Sequence, residues 1–253
     1  MNINLAKGKK AYFASDFHLG VPSFEKSLER ERKIVRWLDS ISEDAQVVFL
    51  VGDLFDFWFE YNSVVPKGFT RFLGKLAELS DNGIQLVIFT GNHDLWMFGY
   101  LEKELNAIVV KDPIDININN YSILIGHGDG LGPHDKGYKS LKKIFTNPFF
   151  QWCFHRLHPN LGIGLANYWS RKSRAQGHEK EQEFLGEEEW LWAYAKKKES
   201  QKHRDLYLFG HRHLPLDLKV GESSRYVNLG EWINNYTYGE FDGQNFNFKT
   251  FEA

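Results

Sequence analysis

Gln46-Val47-Val48-Phe49-Leu50-Val51-Gly52-Asp53-Leu54-Phe55-Asp56-Phe57-Trp58 decides the reading of this chain. Gln46 to Val51 is an apolar strand that stops abruptly at Gly52-Asp53, a glycine followed by a carboxylate. The same event precedes and follows it. Ala11 to Ser15 reads as a strand running into Asp16-Phe17-His18, and Ile84 to Thr90 as a strand ending at Gly91-Asn92-His93-Asp94. Between these strands lie helical patterns. Ser23 is an N-cap for a charged amphipathic helix through Ile34, Trp37, Leu38 and Ile41. A second helix follows Pro66, with Phe69, Phe72, Leu73, Leu76 and Leu79 on one face and Gly83 as its stop.

Further along, the pattern turns antiparallel, with Ile114–Ile118 and Tyr121–Ile125 around an Asn119-Asn120 turn. The second of these strands ends at Gly126-His127-Gly128-Asp129. Late strands are predicted at 205–209, 216–220, 225–229 and 245–251, the first ending at Gly210-His211-Arg212-His213. Residues 136–200 do not read as sheet. Their first part, 136–174, carries eight Lys or Arg, no Asp or Glu, and the aromatics Phe145, Phe149, Phe150, Trp152, Phe154, Tyr168 and Trp169. We read 136–200 as a helical cap inserted over the mouth of a single α/β domain spanning 1–253.

Length and composition agree with that plan. At 253 residues, with 42% apolar and 25% charged, the chain suits one soluble domain with a full core. A net charge of −2 gives no global attraction to nucleic acid. The basic residues lie in an aromatic-rich cap, not along an open groove, so no nucleic-acid partner is expected. The single cysteine, Cys153, excludes an internal disulfide and suits a reducing compartment. The polar start, Met1 to Lys10, carries no signal-peptide pattern, and no run approaches a membrane span. The expected location is cytoplasmic.

Strand ends of an open α/β sheet converge on one crevice. The side chains delivered there are carboxylates, imidazoles and one amide, a mixture that suits two divalent ions of intermediate hardness such as Mn²⁺, Fe²⁺ or Zn²⁺. Two such cations need a shared anion, and Asp53, from a central strand, is the expected bridge. Asp16, His18 and His213 would complete one ion, and Asn92, His127 and His211 the other. His211 and His213 are separated by one residue, so an extended segment can offer one to each. The glycines ahead of these residues are expected to let the backbone turn sharply. Singly, each motif is commonplace; five in one chain, each at a strand end, point to a two-metal phosphoesterase.

The ordered set Asp16-x-His18, Gly52-Asp53, Gly91-Asn92-His93-Asp94, Gly126-His127 and Gly210-His211-Arg212-His213 resembles the calcineurin-like metallophosphoesterase superfamily over residues 11 to about 232. That resemblance implies a four-layer α/β/β/α sandwich and the ligand roles above. A narrower one covers the cap. Gly52 to Trp58, His127-Gly128-Asp129 with Asp135-x-Gly137-Tyr138, and Ser170-Arg171-Lys172-Ser173-Arg174 look like UDP-2,3-diacylglucosamine hydrolases, which act in lipid A synthesis. The resemblance implies cleavage of a UDP-linked diacyl sugar to UMP and 2,3-diacylglucosamine 1-phosphate, with Mn²⁺ as metal and the cap holding the acyl chains. It implies a peripheral position on the cytoplasmic face of the inner membrane. Asn92 and His93 would be catalytic, and Asn92, His93, Asp135, Tyr138, Ser173, Arg174, Lys180 and His211 would contact substrate. The chain departs from that family in two places: His93 stands where its best-known members carry Arg, and Gly177 where a polar amide is frequent. His93 can protonate an alkoxide leaving group, which keeps open a phosphodiesterase or phosphatase acting on a soluble nucleotide or sugar phosphate. A protein-binding scaffold on this fold is the other rival, and it usually goes with lost ligands; none is missing here.

Overall fold

Alternation within the apolar runs decides which layer each side chain joins. In β3 (Ala45–Val51), Val47, Phe49 and Val51 pack into one core, while Ala45, Val48 and Leu50 pack into another. β2 (Lys10–Ala14) and β4 (Gln85–Phe89) divide in the same way, with Ala11, Phe13, Val87 and Phe89 on the side of Phe49. Both faces of this sheet are therefore covered, which is why its strands read as nearly unbroken apolar runs. The structure, a computed structural model, describes residues 1–132, 136–166, 168–170 and 183–252.

Two six-stranded sheets stack face to face. To the strands above the first adds β5 (Ile108–Val110), β11 (Thr237–Phe241) and β12 (Phe246–Thr250), in the order β12-β11-β2-β3-β4-β5. The second is built from β1 (Asn2–Ile3), β6 (Ile114–Ile118), β7 (Tyr121–Gly126), β8 (Leu206–Phe209), β9 (Pro215–Val220) and β10 (Ser224–Leu229), in the order β1-β6-β7-β8-β10-β9. The β6–β7 hairpin is antiparallel as predicted, but β7, β8 and β10 pair in parallel, so the second sheet is mixed.

Helices close both outer faces. α1 (Phe24–Ile41), α2 (Thr70–Asp81) and α3 (Tyr100–Leu105) bury Ile34, Trp37, Leu38, Phe72, Leu76 and Leu101 against the first sheet. Ser23 caps α1 by accepting from the Lys26 N–H. α2 has no cap of its own at Phe69, so the buried Glu31 carboxylate of α1 takes over, accepting from the N–H groups of Arg71 and Phe72 at 2.8 and 3.1 Å. The layering is the α/β/β/α order expected from the sequence.

Three helical stretches follow β7: α4 (Lys136–Phe145), α5 (Pro148–His155) and α6 (159–166). They reach back to the first sheet's loops through aromatic contacts. Trp96 Nε1 donates to the Phe145 carbonyl at 2.8 Å, and the Phe154 ring lies 4.9 Å from that of Trp96 and 4.8 Å from that of Phe59. α7 (Trp190–Glu199) behaves differently from the rest of the expected 136–200 cap. Leu191 and Ala195 pack on Tyr207, Phe209 and Tyr226, so α7 is the outer layer of the second sheet. Its charged sequence hid a two-residue apolar stripe.

Candidate metal centre

Each strand end delivers its residues as the spacing predicted. β2 leads into Asp16 and His18, β3 into Asp53, β4 into Asn92 and His93, β7 into His127, and β8 into His211 and His213. Backbone hydrogen bonds lock the loops together: Asp16 N–H to the Gly52 carbonyl at 3.0 Å, His18 N–H to that of Asp53 at 2.9 Å, and Gly210 N–H to that of His127 at 2.9 Å. Asp16, His18, Asp53, His211 and His213 all adopt positive φ, between 42° and 68°. Such backbone costs free energy for a side chain-bearing residue and persists only where surrounding contacts over-determine it. The expected reason for the glycines is only partly right. Gly52 does turn, at φ +85, but a Cβ there would also stand 2.5 Å from His127 Nδ1. Gly91 has ordinary φ and is needed because the Asp53 carboxylate presses against the place its Cβ would occupy.

Ligand-type atoms of Asp16, His18, Asp53 and His213 all lie within 4.8 Å of one another, and so do those of Asp53, His127 and His211. Asp53 belongs to both groups. Asn92 joins the second, with Oδ1 3.1 Å from His127 Nε2. In the first group, His18 Nε2 and His213 Nε2 face each other at 2.9 Å, and His213 Nε2 stands 3.2 Å from Asp16 Oδ1. All seven residues assigned as ligands from sequence are thus gathered into two adjoining clusters that share one carboxylate.

The chemistry of these clusters fits divalent cations. His127 Nδ1 donates to the Val51 carbonyl at 2.9 Å, which turns Nε2 toward Asp53 Oδ2 at 3.3 Å and Asn92 Oδ1. Asp53 Oδ2 is buried, with His127 Nε2 3.3 Å away as an ion-pair contact but no hydrogen bond among the described residues. Oxygens crowded like this need positive charge between them. Without an ion, protons supply it. Burial pushes the His127 pKa down, but the charges of Asp53, Asp16 and Asp129 overcome this and hold it up to about 10. Despite burial, the neighbouring imidazoles pull both carboxyls well below the ordinary range, His18, His213 and His127 acting on Asp16, and His127, His93 and His18 on Asp53. His211, half-buried, is lowered to about 4 by desolvation and by the charge of His127, which leaves it neutral and able to coordinate.

Three contributors escaped the sequence reading. Asp94 staples the loops, accepting from the N–H groups of Gly91 at 2.7 Å and Leu54 at 2.8 Å; burial and the nearby Asp53 charge raise its pKa to about 7. Asp56 stands 3.8 Å from His18 Nδ1 and 3.7 Å from His93 Nδ1. His93 Nδ1 donates to the Asp56 carbonyl at 3.0 Å, and Ser170 Oγ donates to Asp56 Oδ2 at 2.9 Å. The His93 tautomer is thereby set with Nε2 left for the site. Arg212, the unassigned residue between two imidazoles, is fully buried. Each lies inside a string quoted from the sequence, Asp56 in Gly52–Trp58, Asp94 in Gly91–Asp94 and Arg212 in Gly210–His213, but none carried a role there. Asp56→Asn is expected to lower kcat about 10–100-fold while both ions stay bound, measured by turnover beside elemental analysis. Loss of an ion would instead make Asp56 part of the coordination shell.

Of the substrate contacts implied by resemblance, Asn92, His93 and His211 lie at the clusters. Tyr138 is close: its hydroxyl donates to Asp129 Oδ2 at 2.8 Å, its ring centroid is 6.4 Å from that of His211, and Lys142 pairs with the same Asp129 oxygen at 2.6 Å. Asp135, Ser173, Arg174 and Lys180 lie outside the described residues. Beneath α4 to α6 a cavity of about 510 Å³ runs from Asn92 and His93 to Trp96, Leu141, Phe150 and Trp169. Its walls are mostly apolar.

Comparison with known proteins agrees with this geometry. The model of the calcineurin-like phosphoesterase family matches residues 9–215. A UDP-2,3-diacylglucosamine hydrolase of Porphyromonas gingivalis is 39% identical over 248 residues, covering 92% of this chain and 94% of its own. Proteins of the same description from Ectopseudomonas mendocina and Haemophilus influenzae are each 28% identical; the first covers 94% of this chain and 96% of its own, the second 90% and 92%.

Proposed function

Since this chain belongs to the calcineurin-like phosphoesterase family, we propose that it hydrolyses the pyrophosphate of UDP-2,3-diacylglucosamine to UMP and 2,3-diacylglucosamine 1-phosphate. The carrying observation is the apolar cavity that opens onto Asn92 and His93. A soluble nucleotide or sugar phosphate has no use for such walls; two acyl chains do. The relatives' described activity supports the same substrate.

Asp16, His18, Asp53 and His213 would hold one divalent ion, and Asp53, Asn92, His127 and His211 the second; Mn²⁺ suits this mixture of oxygen and imidazole donors. When bound, the ions offset the charge of the phosphate oxygens and make water acidic enough to attack at neutral pH. The chain's own residues do the rest. Asn92 directs its amide at the phosphate, and the His93 N–H, donating to Asp53 Oδ1 at 2.8 Å, fixes the loop that carries both. His93 presents Nε2 to the phosphate with its other nitrogen held by Asp56. α4 to α6 form the inserted cap, with Tyr138 and the contacts implied at Asp135, Ser173, Arg174 and Lys180 gripping the sugar phosphate. The substrate is a two-chain lipid, so the protein would work at the cytoplasmic face of the inner membrane. Exposed Phe149, Trp152, Leu161 and Tyr168 on the cap helices support contact with a lipid surface. No helix among the described residues is long and apolar enough to cross a membrane.

The direct test is UMP release from UDP-2,3-diacylglucosamine by purified protein supplied with Mn²⁺. No UMP, combined with hydrolysis of soluble phosphate esters, would hand the site to a generic phosphoesterase. The cavity makes its own prediction. Leu141 lines it and is partly exposed, so Leu141→Asp should leave the fold intact. It removes roughly 1.5–3 kcal/mol of apolar contact, so KM for the diacyl substrate should rise about 10–100-fold. Turnover of a nitrophenyl phosphodiester should not change. Equal effects on both substrates would detach the cavity from acyl-chain binding.

A further inference from the structure

The turn that carries His211 and His213 is strained at its centre. Arg212 N–H donates back to the Gly210 carbonyl at 2.8 Å, across His211 at φ +68, and His213 follows at φ +55. A γ-turn with positive φ at its middle residue is the rare, strained form, and such backbone holds only where neighbours over-determine it. Asn228 Nδ2 pins the Gly210 carbonyl at 2.5 Å, and Asp16 accepts from the His211 N–H at 3.1 Å. Both act on the first half of the turn. The second half is held by Asn235 Nδ2, which donates to the His213 carbonyl at 3.3 Å, and by the Arg212 side chain.

Arg212 is fully buried, as is its partner Glu189. Nε donates to Glu189 Oε1 at 2.9 Å and Nη2 to Oε2 at 3.3 Å, a two-pronged grip that lysine cannot reproduce. Nη2 also donates to the Glu183 carbonyl at 2.6 Å, and the guanidinium lies 4.9 Å from the centroid of the Trp190 ring. Glu189 is the residue on which α7 starts, and α7 is fixed to the second sheet by Leu191 and Ala195. A buried ion pair is a poor source of net stability compared with an apolar pair of the same volume. One standing between two imidazoles of the metal clusters calls for another reason.

We infer that Arg212, acting through Glu189, is a positioning residue for the metal centre. It clamps the strained turn so that His211 faces one ion and His213 the other, and it ties that turn to the chain returning from the cap at Glu183. This rests on the two-ion reading of the site.

The test pairs metal titration with melting of the metal-free protein. Arg212→Met with Glu189→Leu removes both charges at once and should melt near the parent. It should nevertheless bind Mn²⁺ about 10–100-fold more weakly, because outer contacts that orient ligands carry effects of that size. Arg212→Lys keeps a paired charge but loses the two-pronged grip, so its affinity should fall between the two. Parental affinity for both ions in the double variant overturns the inference and makes the pair a packing element. Should the double variant not fold, parental affinity in Arg212→Lys does the same. A parent protein that binds no ions fails differently: it removes the two-ion reading itself.

Discussion

Asp53→Ala is expected to abolish measurable turnover and to reduce bound metal from about two ions per chain to one or fewer. Asp53 is the residue common to both clusters, and its Oδ2 is a buried oxygen with no hydrogen-bond partner among the described residues. Removing it leaves two cations with no shared anion between them. Losing several kcal/mol of charge stabilisation corresponds to about a thousandfold or more in rate. Alanine also has to occupy φ 51, a backbone conformation that disfavours a Cβ. Asp53→Asn separates the two effects, since Asn tolerates that conformation but brings no charge. Its metal-free form should melt below the parent, because the Asp53 carboxylate, held well below its ordinary pKa, pairs with His127, so metal content is read on protein shown to be folded. Elemental analysis and UMP release then decide. Two bound ions with parental turnover in Asp53→Asn would rule out the bridge.

The strand ends were legible because chemistry and structure coincide there: an apolar run, then a ligand, preceded by glycine at every end but that of β2, where Ser15 precedes Asp16. The same holds for Val47 to Val51, whose alternation between two cores follows directly from the pleat. Elements without that local signal were missed. β11 contains Gly239, which reads as a breaker but sits where a Cβ would strike the Phe246 ring of its neighbouring strand, 2.6 Å away. β1 and β5 are two and three residues long, and α3 only six, too short for a periodic pattern. Pairings such as β2 with β11, joining Phe13 to Gly239, are set by the whole chain. The site divides likewise. Ligand types announce themselves by spacing, whereas Asp56 and Arg212 acquire their roles from partners, Ser170 and Glu189, that only the fold brings near.

His93→Arg is expected to cleave UDP-diacylglucosamine within about tenfold of the parent and to lose roughly 10²–10⁴ in rate on a dialkyl phosphodiester if proton donation drives that reaction. The two substrates differ in what leaves. Attack at the phosphorus on the UMP side expels a sugar 1-phosphate, a stable anion that gains little from a general acid. His93 then needs only to present positive charge or a hydrogen-bond donor to the phosphate, and a guanidinium can do both. Its tether constrains the substitution. Nδ1 is held by the Asp56 carbonyl at 3.0 Å, with Ser170 Oγ 3.3 Å away, so an arginine must find the same direction without that support. His93→Ala, which supplies neither charge nor donor, should therefore be worse than Arg on the lipid. The readouts are UMP release and alcohol release from the dialkyl ester, each with Mn²⁺ supplied. A parent that releases no UMP but cleaves the ester, with that cleavage abolished by Arg, would make His93 a proton donor to an alkoxide and the protein an esterase. Retention of UMP release by Arg, with Ala impaired, would instead give the imidazole an electrostatic task, the one that anhydride chemistry requires.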